Sequence, residues 1–199
     1  MKAGSSKVIF MILVAAVVAG CSGQDDEDMV VEAFERFQTG LKGGDGAALW
    51  GVADDATRAY FDEFAASIRG TCRLVRDNYP QDDRAATMRA VGGDLEASAR
   101  DGRSLFMYML DIRKLAPPEN RDSTIVRDIK FDGAVATVVT KSGETILFTK
   151  NTDGSWGTRM FLAAFTELPA IVTLKDNIRV AQENCRMLGI DVDAVLSAK

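Results

Sequence analysis

Histidine is missing from all 199 residues. That removes the commonest general base and the commonest metal ligand together. Ser-His-Asp and Cys-His catalysis are therefore excluded. No Cys-x-x-Cys pair, glycine-rich phosphate loop, dinucleotide fingerprint, Gly-x-Ser-x-Gly or Ser-x-x-Lys motif occurs either. A basic tract is also lacking, and the net charge is −5, which argues against nucleic acid as a partner. No cofactor is implied. The apolar run at residues 8–19 is only twelve residues long, short of the roughly 20 that cross a bilayer.

What is present is an ordinary globular composition, 47% hydrophobic and 27% charged, enough for one domain. Ahead of it, Lys2 and Lys7 make a positive leader for the apolar run, which ends Val18-Ala19-Gly20-Cys21. Charge, apolar stretch and small residues in that order read as an export signal. The small residues followed by Cys resemble the lipobox of bacterial lipoproteins. The resemblance implies cleavage between Gly20 and Cys21, diacylglycerol on the Cys21 thiol, further acylation of its new amino terminus, and a partner that is the membrane itself. It places the body on the cell envelope, facing the periplasm or the outside. Ser22, standing where lipoproteins of the inner membrane carry Asp, favours the outer membrane. Removal of the leading lysines leaves a more acidic body. Residues 21–28, rich in Asp and Glu, are expected as an extended, self-repelling tether.

Lipidation of Cys21 leaves Cys72 and Cys185. In an exported domain the pair reads either as a disulfide or as two buried thiols. The bond closes a long loop, worth at most about 4.7 kcal/mol on the chain-entropy model.

The rest, residues 29–199, reads as a single α+β domain. A helical N-terminal half packs on a four-stranded antiparallel meander, and a C-terminal helix closes the chain. Val30, Ala33, Phe34, Phe37 and Leu41 recur at helical spacing over 29–41. Asp54 or Asp55 starts a helix running to Ile68, with Gly70 as its stop and another turn or two over 71–77. Weaker helices are expected over 82–91 and 94–100. A further one starts at Ser104, with Leu105, Phe106, Met109 and Leu110 on one face. From Ser123 the period becomes two. Strands are predicted to residue 131, over 134–141, over 144–150 and over 155–161, with Asp132-Gly133 as a hairpin turn. Ile171, Leu174, Ile178, Ala181, Cys185 and Leu188 stripe a last helix between Pro169 and Gly189.

The helix ending at Gly43-Gly44-Asp45, the Leu49-Trp50 segment and the late meander with Asp153-Gly154-Ser155-Trp156 are similar to the cone-shaped α+β fold of nuclear transport factor two-like proteins. That resemblance implies helices seated in a curved sheet. The long helical stretch from Cys72 to Leu115 and the helix after the last strand depart from it.

Among groups able to do chemistry, Asp54-Asp55 and Asp82-Asp83 read first as helix caps and only second as acid–base pairs. Arg127 shares the register of Ile125, Ile129 and Phe131, and is expected on the apolar face. There it either snorkels from a strand end or lines a pocket opposite a carboxylate. Trp156, Phe148, Tyr60 and Tyr108 read as core, with ligand contact as the rarer role. Together these features predict a membrane-anchored module that binds an envelope protein or supports an assembly without catalysis. The alternative is a small-molecule pocket using Asp, Arg and Tyr.

Overall fold

The computed structural model describes residues 22–113 and 120–197. It is α+β, as the change of period predicts, with one antiparallel sheet in the order β1-β2-β3-β4 and helices packed against it. Among the described residues no helix is long and apolar enough to cross a membrane.

Helix α1 spans Ser22–Gly43. Its buried Val30, Ala33, Phe34 and Phe37 are the residues whose spacing predicts it. It begins well before Met29, however, so residues 22–28 are helical rather than an extended tether. The short α2, Gly46–Gly51, is capped by Asp45, whose carboxylate accepts from Ala47 N–H and Ala48 N–H. Helix α3, Asp55–Asn78, is the central rod, touching every α-helix that follows it. It runs through Gly70 without a break. That glycine is not a stop; it lets Leu196 press against the backbone where any Cβ would collide with its side chain. Helix α4 covers Gln81–Ala90 and buries no side chain. Two 3₁₀ turns at Gly93–Leu95 and Ser98–Arg100 replace the helix expected over 94–100. Helix α5, Gly102–Arg113, starts on the Asp101 carboxylate, which accepts from Ser104 N–H at 2.7 Å. Its Leu105, Phe106, Met109 and Leu110 are all buried.

The meander comprises β1 (Val126–Asp132), β2 (Val135–Thr140), β3 (Thr145–Lys150) and β4 (Trp156–Thr158). Asp132 pairs with Val135, so the hairpin loop is Gly133-Ala134, and Gly133 takes the positive φ of +60° that such a tight loop needs. Across the sheet, Phe131, Ala136 and Phe148 align, as do Ile129, Val138 and Ile146. Ala136, Val138 and Phe148 join α1 in one core with Phe61, Phe106, Phe161 and Phe165. Strand β4 is shorter than its pattern suggests. It stops at Thr158, and Phe161 belongs to α6, Met160–Thr166. Helix α7, Pro169–Met187, has Pro169 in its first turn and Gly189 at φ +78° beyond its end. Ile171, Ile178, Ala181 and Cys185 are buried, whereas Leu188 lies past the helix and is exposed. A final helix, α8 (Val192–Ser197), carries no period long enough to read in advance and packs on α3.

Candidate functional site

Gly20 and Cys21 lie outside the described residues. The described chain begins one residue later, at the first turn of α1.

Arg127 does not reach the apolar face. The β1–β2 pairing slips between Val126, opposite Thr140, and Asp128, opposite Val139. Arg127 is the extra residue of that bulge, and it is exposed. A bulge breaks the strict alternation on which its inward placement depended. The inner face of the sheet is filled by Ala136, Val138 and Phe148.

The predicted Cys72–Cys185 bond is also absent. Both thiols are buried and free. Cys185 packs in a small cluster with Leu74 and Val192, while Cys72 sits in the main core. Positions 72 and 74 on one α-helix point roughly 200° apart. A side chain that meets Leu74 is therefore on the wrong side of α3 for Cys72. Burial pushes the Cys72 thiol up to about 11, with Glu96 adding to the rise. Burial also raises Cys185.

Of the carboxylates that sequence alone offers for acid–base work, Asp54 caps α3 as expected, whereas Asp82 and Asp83 cap nothing: α4 follows Pro80 with no side-chain cap. Asp54 is 1% exposed. Its Oδ1 accepts from Thr57 N–H at 2.8 Å and from the Thr57 hydroxyl at 2.6 Å. Its Oδ2 accepts from Arg159 Nε at 2.9 Å. Asp55 accepts from Thr152 N–H at 2.8 Å, and Asp55 N–H donates to Asn151 Oδ1 at 2.9 Å. The turn before β4 is thus clasped to the start of α3. Thr158 N–H donates to Val52 O, and Asp54 N–H to Thr158 O. Carboxylates saturated in this way serve to hold, not to shuttle protons. Asp82 and Asp83 sit in the exposed first turn of α4, where they meet the helix dipole. Asn151 and Arg159, which complete the clasp, carry no sequence signal beyond a turn and a strand end.

Trp156 and Phe148 are core residues. Tyr60 is half-buried, with the Lys175 ammonium 4.4 Å from its ring centre and its hydroxyl unpartnered. Tyr108 lines an open groove of about 840 Å³ between the turn at 92–95, α5 and the start of α7. Leu95, Met109, Leu168, Ile171 and Leu174 give it apolar walls, and Arg89, Asp94 and Asn177 stand among its lining residues. None of the groove residues other than Tyr108 is suggested as a site by the sequence, because Ile171 and Leu174 read as ordinary core positions of the last helix. Among the described residues no cluster of acidic or thiol ligands could hold a metal ion. No protein-family model, no curated protein and no solved structure matches this chain.

Proposed function

We propose that the chain is an exported lipoprotein whose folded domain serves the cell envelope as a binding or structural module rather than a catalyst. The observation that carries this is the ordered leader, Lys2 and Lys7, twelve apolar residues, then Val18-Ala19-Gly20-Cys21. The filled interior supports the module half of the reading. Phe106 packs at 5.2 Å centroid distance against each of Trp50, Phe61 and Phe161, and the buried Asp54 carboxylate is occupied by Thr57 and Arg159. Incorporation of a labelled fatty acid in an exporting bacterial host tests the anchor: wild type takes the label and Cys21→Ser does not. Labelled Cys21→Ser protein overturns the reading. Cross-linking in intact envelopes then names the protein partner.

One observation favours a second reading, a pocket for a small molecule. The 840 Å³ groove falls within the size range of ligand sites, is walled mainly by apolar side chains, and carries Arg89, Asp94 and Tyr108. An apolar fluorescent probe should bind the wild-type domain and lose affinity on Leu174→Arg. Equal binding by both removes the groove from consideration.

A further inference from the structure

The start of α1 fixes where a lipid anchor leaves the body. Asp26 Oδ1 accepts from Lys150 Nζ at 2.6 Å and from the Trp156 indole N–H at 3.3 Å. Trp156 is itself buried, and Phe131 packs edge-on against it at 5.7 Å. Lys150 N–H donates to Ala134 O, which brings the β1–β2 turn into the same corner. From the clamped Asp26 back to Ser22 the chain is helical. At about 1.5 Å rise per residue, Ser22 stands only about 6 Å along the helix axis from Asp26. The same four residues fully extended would reach roughly 14 Å.

We infer that this corner is the membrane-facing pole of the protein, seated on the phospholipid surface beside the anchor. The inference rests on the lipoprotein reading and adds an orientation to it. The corner exposes Phe131 at 42% and Val135 at 38%, with Met29 one helical turn from Asp26. Apolar side chains next to lysines suit the headgroup boundary. Asp25, Glu27, Asp28 and Asp132 give the same corner an excess of negative charge, so the matching surface is zwitterionic rather than anionic. The exposed flank of α1 carries Asp28, Glu32, Glu35 and Arg36, so the helix does not lie down on lipid. Its 22 residues extend about 33 Å, which carries Gly43 and Gly44 away from the bilayer.

The mature chain, coupled through Cys21 to a maleimide lipid in phosphatidylcholine nanodiscs, tests this. Cys72 and Cys185 are buried with raised thiol pKa values, so coupling under native conditions selects Cys21. With nitroxide-headgroup lipid added, amide signals of Gly133, Ala134 and Thr152 should broaden several-fold more than those of Gly43 and Gly44. Asp26→Ala should keep the fold, by its amide spectrum, and level that contrast. Equal broadening at both poles in the wild type, broadening at neither, or an unchanged contrast in Asp26→Ala overturns the orientation. The coupling is chemical, so the result does not depend on whether cells acylate Cys21; fatty-acid labelling decides that separately.

Discussion

Arg159 Nε donates to the buried Asp54 carboxylate at 2.9 Å, across 105 positions of sequence. The pair is lopsided. The Arg159 side chain is 58% exposed and the Asp54 side chain 2%. Asp54 also caps α3 through Thr57, so most of its contribution lies in the cap rather than in the ion pair.

Asp54→Ala should therefore destabilise the domain by about 2–4 kcal/mol, since it removes a cap and strands the Thr57 hydroxyl. Arg159→Ala should cost under about 1 kcal/mol, because a solvent-exposed guanidinium contributes little. Urea denaturation of both variants checks the order. A larger loss in Arg159→Ala would show that the ion pair, not the cap, holds the clasp.

The corner at Asp26 should be acid-sensitive. The hydrogen bond from Lys150 holds the Asp26 carboxyl below its ordinary range, with the Trp156 N–H and the Lys150 charge adding to it against the opposing effect of burial. A carboxylate whose folded value is depressed stabilises fully above its unfolded value, near 3.9, and loses that contribution as pH falls through the folded value. In a Trp50→Phe background, Trp156 emission should change with a midpoint below pH 3.9. The step should vanish in Asp26→Asn.

The soluble domain beginning at Asp25 should titrate two thiols in denaturant without reductant, and reducing agents should leave its unfolding midpoint unchanged. In the native state both thiols should resist alkylation at pH 8, since burial keeps Cys72 protonated up to about 11 and raises Cys185 as well. Cys72→Ala should cost about 1 kcal/mol for a small buried group. Denatured protein with no free thiol would restore the disulfide.

Gly157 marks the closest backbone approach in the clasp. A Cβ there would stand 2.6 Å from Ala53 O and 2.7 Å from Asp54 Cα, both main-chain atoms that cannot swing aside. Gly157→Ala should cost about 3 kcal/mol through displaced backbone. Gly70→Ala meets the Leu196 side chain, which can rotate, and should cost less. Melting curves of the two variants separate these cases.

Phe106→Ala opens the aromatic hub between α2, α3, α5 and α6 and should cost about 3–5 kcal/mol. Exposed Leu147→Ala on the outer face of β3 should cost little by comparison. Thermal unfolding of both reports where the core lies.

Local chemistry was legible wherever a few neighbouring residues decide it. Asp54 as a cap, Pro169 and Gly189 as the limits of α7, and Leu105, Phe106, Met109 and Leu110 as one buried face all follow from spacing alone. Positions whose meaning depends on a distant partner were not. Gly70 looks like a stop until Leu196 is placed beside it, and Phe161 continues the β4 pattern until α6 begins.

By itself the sequence determined the α+β class and the inward stripes of the main helices, because periodicity and capping are properties of adjacent residues. Tertiary structure decided the rest. A one-residue bulge turned Arg127 to solvent, opposite sides of α3 put Cys72 and the Cys185 of α7 in different clusters, and Asp26, on a helix rather than an extended tether, bonds to Lys150 and Trp156. Each of these rests on contacts between residues far apart in the chain, which no local pattern encodes.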